Sequence, residues 1–229
     1  MAINYTRAEL LCKIESAKSD MASFYNQDFI NYTGKTSDTD VYYTEVVCEW
    51  LINNMDMLNR IPMIERKKGY KMDTHDGVID NPNSGRTEEM IAMQMFTQKE
   101  ISLVGTILDY QTPLKNKRSD KAGKVDLLSY DGHVLRILEL KEPESTETML
   151  RCVIEGYTYM KTVYGEGLID SFDLPDGTII KTNPLVHINS KQHAEIVEGR
   201  PKLQRLIEML DAVPLYYDFE NEKYVITEE

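Results

Sequence analysis

Residues 123–141 contain the pattern that most constrains how this chain can fold. Two apolar runs, 125–128 and 134–140, flank the dipeptide Asp131-Gly132. An Asp-Gly pair between two such runs is typical of a two-residue β-hairpin turn, because both central residues of that turn need positive φ. The stretch therefore predicts two antiparallel strands joined by a tight turn.

The length of the turn decides which side chains share a face of this hairpin. A two-residue turn sets Asp126 opposite Ile137. Because side chains alternate along a strand, Glu139 and Lys141 lie on the face of Ile137 and therefore of Asp126. Asp126 and Glu139 are then diagonal neighbours, with backbones about 7–8 Å apart. A three-residue turn would reverse the parity and separate these groups.

Two carboxylates and an ammonium on one face of an apolar hairpin point to a metal site. Buried charges are rare unless they are paired or bound to a metal. Mg²⁺ and Mn²⁺ prefer oxygen ligands, often one or two carboxylates with waters and substrate phosphate. Asp126 and Glu139 are thus candidate ligands, and Lys141 is a candidate for holding the attacking water or the scissile phosphate. The alternative is a set of strand-end charges that are solvated or paired with each other.

The order of these residues resembles the core motif of the PD-(D/E)xK nuclease superfamily. Its members carry Asp and then Glu-x-Lys on the next strand, bind Mg²⁺ or Mn²⁺, and cut phosphodiester bonds. Here Asp126 is followed by Ile137-Leu-Glu139-Leu-Lys141, and Val125 stands in place of the eponymous proline. The resemblance covers roughly residues 84–190. It implies an α/β, restriction-endonuclease-like fold with a central mixed β-sheet flanked by helices.

A helix predicted from Thr87 to about Lys99 precedes the sheet. Acidic residues in its first turn suit the helix dipole, which is the simplest explanation of Glu88 and Glu89. Superfamily members often carry a glutamate on the helix before the sheet, so the resemblance implies that Glu88 points at the metal site. Glu89 is the alternative.

A second helix is predicted after the Glu-x-Lys strand, capped by Ser145 or Thr146 and running to about Tyr164. RecB-like members carry Gln-x-x-x-Tyr on this helix, and here the pattern is Glu155-Gly-Tyr-Thr-Tyr159. The resemblance implies that the Tyr159 hydroxyl orients phosphate or Lys141. The alternative is a tyrosine at the edge of the core with its hydroxyl in water.

Basic residues are concentrated in the loop before Asp126, although the formal net charge is −12. That charge tells against broad nonspecific nucleic-acid binding, but a local group of Lys and Arg can still position phosphates. The stretch 66–71 is also basic, and either segment could instead be a solvated run. The predicted nucleic-acid-binding residues are Lys115, Lys117, Arg118, Lys121 and Lys124.

The remaining elements are read from periodicity and turn residues. Residues 6–26 and 40–59 predict helices, the first opened by a Thr6–Glu9 capping box and the second capped by Asp38 or Thr39. We therefore predict that residues 1–83 form an N-terminal helical extension packed on a core of residues 84–229. Within the core we expect strands at 101–110 and 179–188, a helix at 202–210, and a hairpin from 213–219 and 223–226.

Other function classes lack support in the sequence. The chain has no phosphate loop, no dinucleotide glycine fingerprint, no His-Glu-x-x-His helix and no Gly-x-Ser-x-Gly elbow. No apolar run is long enough to span a bilayer, so no membrane partner is expected. Three scattered cysteines, Cys12, Cys48 and Cys152, indicate free thiols and a cytoplasmic location.

These observations predict a Mg²⁺- or Mn²⁺-dependent nuclease, with DNA as the favoured substrate. The predicted metal ligands are Asp126, Glu139, the carbonyl of Leu140, and Glu88, and the predicted catalytic residues add Lys141 and Tyr159. Two alternatives stay open: a catalytically silent member of the fold that acts as a binding or assembly module, and a nuclease that acts on RNA. A homodimer or a partner subunit could supply further basic surface.

Overall fold

Seven strands form one mixed sheet in which the strand order follows the chain. The structure is a computed structural model that describes residues 4–78, 86–117 and 123–228. The strands are β1 Glu100–Ile101, β2 Gly105–Pro113, β3 Lys124–Tyr130, β4 Val134–Lys141, β5 Ile179–His187, β6 Leu215–Glu220 and β7 Lys223–Thr227. β1 to β4 are antiparallel, β5 runs parallel to both β4 and β6, and β7 is antiparallel to β6. The predicted mixed α/β sheet is confirmed.

Helices cover this sheet and form the N-terminal part of the chain. The α-helices are α1 Arg7–Ala17, α2 Tyr43–Asn53, α3 Thr87–Gln98, α4 Met149–Thr162, α5 Gly165–Ser171, α6 Lys191–Val197 and α7 Pro201–Leu210. Three 3-10 helices span Met21–Asn26, Asp28–Asn31 and Met55–Arg60. Within the described ranges, no helix is both long and apolar enough to cross a membrane.

The central hairpin forms, but its register differs from the predicted one. Tyr130 pairs with Leu135, so four residues rather than two separate the paired ends of β3 and β4. Ile137 therefore lies opposite Leu128, and the predicted pairing of Ile137 with Asp126 is wrong. The register is displaced by two residues, an even number, so each side chain stays on its predicted face.

The wider turn is explained by the side chain of Asp131. Its Oδ1 accepts hydrogen bonds from the backbone N–H groups of His133 and Val134, at 2.9 and 2.8 Å. Of the Asp-Gly pair, only Gly132 has positive φ, at 97°. An aspartate that binds the backbone two residues ahead favours this looser turn over one with both central residues at positive φ.

Several element boundaries also differ from the predictions. The capping box of Thr6 and Glu9 is present, but α1 ends at Ala17 and a 3-10 helix follows. Asp38 does not cap α2, because its Oδ1 accepts from Arg7 N at the start of α1, at 2.9 Å. The cap of α4 is Thr148, whose hydroxyl accepts from Arg151 N at 3.2 Å. Local patterns predicted these helices but not which cap serves which helix.

In the C-terminal third of the chain the predicted bounds hold more closely. β5, α7 and the β6–β7 hairpin form within one or two residues of their predicted bounds. The strand predicted at 101–110 is instead the short β1 followed by β2, which places Asp109 inside a strand. The helices α5 and α6 were not predicted.

Alternation along β4 divides its side chains between two apolar layers. Ile137 packs in a cluster with α4 and the N-terminal helices, whereas Leu138 and Leu140 pack with α3. Glu139 and Lys141 follow the parity of Ile137, so they lie on the side of the sheet covered by α4. The two charged residues are therefore 2% and 5% exposed.

Helix α4 packs against the sheet at Gly156, where there is no room for a Cβ. A Cβ at Gly156 would lie 2.5 Å from Thr182 Oγ1 and 3.4 Å from the Glu139 Cβ. Any larger side chain would have to displace the helix or the threonine. Gly156 thus lets α4 hold its own polar side chains close to those of β4.

Candidate active site

A cleft of about 720 Å³ opens where β4 ends, between the start of α3 and the face of α4. The register explains why acids meet there, because Leu127 pairs with Leu138 and the next residues along the two strands are Asp126 and Glu139. They are therefore opposed rather than diagonal as predicted. All five residues predicted to be catalytic line this cleft: Glu88, Asp126, Glu139, Lys141 and Tyr159.

Lys141 is the cation at the centre of the cleft. Its Nζ lies 2.8 Å from Glu139 Oε1 and 3.1 Å from Glu147 Oε2. Glu155 Oε2 and Glu88 Oε2 are 3.8 and 3.9 Å away. Burial alone would lower the pKa of Lys141, but the carboxylates of Glu139 and Glu155 raise it well above its usual value. The side chain therefore remains an ammonium that donates hydrogen bonds and cannot accept a proton from water.

Asp126 is held by two hydrogen-bond donors. Gln111 Nε2 donates to Oδ1 at 2.9 Å, and the backbone N–H of Leu140 donates to Oδ2 at 3.0 Å. The carboxylate thus fixes the backbone of Leu140 beside it. Removal from water raises the pKa of Asp126 to about 7, although the charge of Lys141 opposes the shift.

Glu139 carries a carboxylate oxygen with no partner. Its Oε1 accepts from Lys141, but Oε2 is buried and has no hydrogen bond to any described residue. Burial first, and then the negative charges of Asp126 and Glu155, raise the pKa of Glu139 well above its usual value. An orphaned buried carboxylate oxygen costs free energy unless a proton or a cation satisfies it.

The start of α3 contributes Glu88 rather than Glu89 to this centre. Glu88 Oε1 accepts weakly from Glu142 N at 3.4 Å, while its Oε2 approaches Lys141. Burial raises the pKa of Glu88. Glu89 also lines the cleft, but it pairs with Arg86 at 3.2 Å and not with Lys141.

Helix α4 contributes a second layer of polar groups. Tyr159 donates from its hydroxyl to Glu155 Oε1 at 2.7 Å, and Arg151 Nε donates to Glu155 Oε2 at 2.8 Å. Burial would raise the pKa of Glu155, but Lys141 and Arg151 together lower it, so this carboxylate stays charged. Tyr159 therefore acts on Lys141 through Glu155 and not by direct contact.

Arg151 also connects the cleft to the N-terminal part of the chain. Its Nη1 donates to the carbonyl of Tyr25 at 2.6 Å, and its Nη2 donates to Asn26 Oδ1 at 3.1 Å. No role for Arg151, Glu147 or Gln111 was predicted from the sequence. The i,i+4 spacing of Arg151 and Glu155 on one helix was the available signal. Nothing in the local pattern indicated Glu147 or Gln111.

The donor groups of the cleft determine whether it can hold the predicted Mg²⁺ or Mn²⁺ ion. Among the residues that the structure describes, no group of three or more His, Cys, Asp or Glu side chains is arranged to hold a metal. The available donors are two opposed carboxylates, with the backbone of Leu140 fixed beside one of them. Magnesium commonly binds proteins through one or two carboxylates and retains waters. The unpartnered Glu139 Oε2 and the chemistry of this pair therefore fit a hard divalent cation.

The residues that line the cleft carry a net negative charge, which also favours the binding of a cation. Its lining includes eight acidic residues and three basic ones. Of the residues predicted to bind nucleic acid, Lys115, Lys117 and Lys124 lie outside the cleft, whereas Arg118 and Lys121 fall outside the described residues. The cleft attracts cations and repels a bare polyanion.

Comparisons with known proteins do not assign this site. No protein-family model, no curated protein and no solved structure matches the chain.

Proposed function

We propose that this chain is a divalent-metal-dependent nuclease that hydrolyses phosphodiester bonds, with DNA as its favoured substrate. The observation that supports it most directly is the buried, unpartnered Oε2 of Glu139 in a cleft that also contains Asp126 and Lys141. The same three residues carry the resemblance to the PD-(D/E)xK superfamily. We propose, as part of the same inference, that the sheet and its helices form a restriction-endonuclease-like fold.

Each cleft residue has a role in the proposal that follows from its contacts. Asp126 and Glu139 would hold Mg²⁺ or Mn²⁺, with the Leu140 carbonyl as a further ligand and Glu88 as an auxiliary one. The ion, when bound, supplies Lewis-acid activation of a water and offsets charge on the phosphoryl group. Lys141, kept protonated by its carboxylate neighbours, donates hydrogen bonds to a phosphate oxygen or to the attacking water.

The groups on α4 set the position of that lysine. Glu155 lies 3.8 Å from Lys141 Nζ and is itself fixed by Tyr159 and Arg151. A phosphate that enters the cleft competes with these carboxylates for the ammonium. Tyr159 is thus a positioning residue whose loss would alter the orientation of Lys141 without removing any metal donor.

The test is cleavage of plasmid DNA and of labelled single-stranded DNA and RNA in the presence of Mn²⁺ or Mg²⁺. We expect wild type to cleave DNA, and Asp126→Ala and Glu139→Gln to lose turnover by orders of magnitude while they stay folded. Glu208→Gln, which changes an exposed glutamate of α7, is the matched control. An Asp126→Ala protein that cleaves as fast as wild type refutes the proposal. Faster cleavage of RNA than of DNA changes the substrate class only.

A catalytically silent module is the second candidate, and the acidity of the cleft favours it. Eight acids against three bases make the approach of a phosphate backbone unfavourable unless a cation is already bound. Thermal unfolding with and without Mn²⁺ separates the candidates when it is combined with the cleavage assay. Stabilisation by Mn²⁺ without cleavage of any nucleic acid favours a cation-dependent module.

A further inference from the structure

Two basic segments that are far apart in the sequence lie side by side in the structure. Arg66 Nη1 donates to the carbonyl of Lys115 at 2.8 Å, and Lys67 N donates to Asn116 Oδ1 at 2.9 Å. Asn116 Nδ2 in turn donates to the carbonyl of Glu65 at 2.9 Å. These hydrogen bonds use backbone groups, the Arg66 guanidinium and the Asn116 side-chain amide, so they leave the ammonium groups of the neighbouring lysines available.

Lysine side chains cover the joined segments. We call the basic surface the group of Lys67, Lys68, Lys71, Lys115 and Lys124, of which all but the half-buried Lys115 are exposed. The ion pairs within the described residues involve other cations, so no described carboxylate neutralises these five. In a chain of net charge −12, such a group is a marked local exception.

The basic surface adjoins the cleft at Tyr159. A Cβ at Gly123 would overlap the Tyr159 hydroxyl, so the residue before Lys124 touches a residue of the cleft. On the other side, Ile64 N donates to the carbonyl of Thr162 at 2.7 Å, at the last residue of α4. Thr162 follows Tyr159 by less than one helical turn. Both basic segments therefore begin close to the same end of the cleft.

We propose that this basic surface binds the sugar-phosphate backbone of a nucleic acid strand and guides it into the cleft, an inference that rests on the proposed nuclease function. Lysine contacts to phosphates supply affinity and register without reading sequence. The cleft itself is net acidic, so the affinity for a polyanion has to come from a surface outside it. The segment at residues 65–71 thereby becomes part of the substrate-binding surface.

The experiment compares two triple variants with the same change in net charge. K67Q/K68Q/K71Q neutralises one segment of the basic surface, and K18Q/K202Q/K223Q neutralises exposed lysines at α1, α7 and β7. Binding of a labelled single-stranded DNA, its duplex and poly-glutamate is followed by fluorescence anisotropy over a range of salt concentrations. EDTA is present so that the divalent ion is withheld. Thermal unfolding with and without Mn²⁺ is measured on the same proteins.

We expect K67Q/K68Q/K71Q to weaken DNA binding about tenfold or more and to reduce the slope of log K against log salt by about 2–3, because each phosphate contact contributes about 0.7–0.9. The control triple should bind like wild type. Equal weakening by both triples, absence of DNA binding by wild type, or equal binding of poly-glutamate would each overturn this inference. The Mn²⁺ shift in wild type tests the metal site independently, since none of these lysines lines the cleft.

Discussion

Replacement of Lys141 by methionine tests the electrostatics of the cleft most directly. Methionine keeps a long, flexible apolar stem but removes the only positive charge within 4 Å of Glu139 among the described residues. Removal of one partner from a buried ion pair costs about 3–5 kcal/mol, because the remaining charge is left in a poorly solvated site. For a chain of this length, that corresponds to a fall in Tm of about 6–20 °C.

The matched control is Lys181→Met on the neighbouring strand β5. Lys181 pairs with Asp211 at 2.8 Å, but the two side chains are 39% and 65% exposed. Exposed pairs contribute only about 0.2–1 kcal/mol, so this variant should lose at most about 4 °C. The two variants remove the same group from ion pairs of the same length. The two sites differ in burial and in the number of carboxylates within 4 Å of the lysine, four for Lys141 and one for Lys181 among the described residues.

The deficit of Lys141→Met should also depend on pH, with a defined sign. Lys141 opposes the upward pKa shifts of Asp126 and Glu139, so its loss raises both values further. A carboxyl with a raised folded-state pKa binds its proton more tightly in the folded protein, and stability falls as pH rises from the unfolded value through the folded one. Since Asp126 titrates at about 7 in wild type, the deficit should be larger at about pH 8 than at about pH 6.

The assay is urea unfolding in EDTA at the two pH values, read by circular dichroism. Equal losses of stability in Lys141→Met and Lys181→Met would refute this prediction. A Lys141→Met deficit that grows as pH falls would also refute it, because protonation would then not relieve the charge of the neighbouring carboxyls.

Three further predictions follow from other contacts. Mn²⁺ should raise Tm in wild type but not in Asp126→Asn or Glu139→Gln, and EDTA should reverse the rise. The rise in Tm should be larger at about pH 8 than at about pH 6, because Mn²⁺ must displace the proton of Asp126, whose pKa is about 7. Gly156→Ala should lower the free energy of unfolding by about 1–3 kcal/mol, measured by chemical denaturation, because its Cβ would lie 2.5 Å from Thr182 Oγ1. Thr182→Ala should destabilise the Gly156→Ala protein less than it destabilises wild type, because it removes the clashing oxygen. Asp38→Ala should lower the free energy of unfolding by about 0.5–2 kcal/mol in the same assay, because it removes the acceptor for Arg7 N at the start of α1. An unchanged free energy of unfolding would show that water replaces the Asp38 carboxylate.

The sequence predicted which residues meet in the cleft better than how those residues face each other. Alternation has a period of two, so a register error of two residues left Asp126, Glu139 and Lys141 on one face. The same error hid the direct opposition of the two acids. The error arose because the Asp131 carboxylate accepts hydrogen bonds from the backbone N–H groups of His133 and Val134. These bonds favour a longer turn over the two-residue turn, and the Asp-Gly pattern alone does not distinguish the two.

Residues that reach the cleft from elsewhere were harder to predict. Glu147 precedes the cap of α4, and its contact with Lys141 depends on where that helix begins, which was predicted two or three residues too early. Gln111 reaches Asp126 from the neighbouring strand, so its contact depends on pairing across β2 and β3. Helix and strand periodicity describe one element at a time, whereas these contacts depend on how elements are placed together.

Because Arg151 donates hydrogen bonds to residues 25 and 26, the cleft depends on residues outside the predicted core of 84–229. A cut at the boundary between residues 83 and 84 would remove two acceptors from a guanidinium that is paired with Glu155. The freed arginine could then rotate toward solvent, and Glu155 would be left to Lys141 and Tyr159 alone. An isolated fragment of residues 84–229 would therefore retain every acid that lines the cleft but lack the hydrogen bonds that fix Arg151, and through it Glu155, in position.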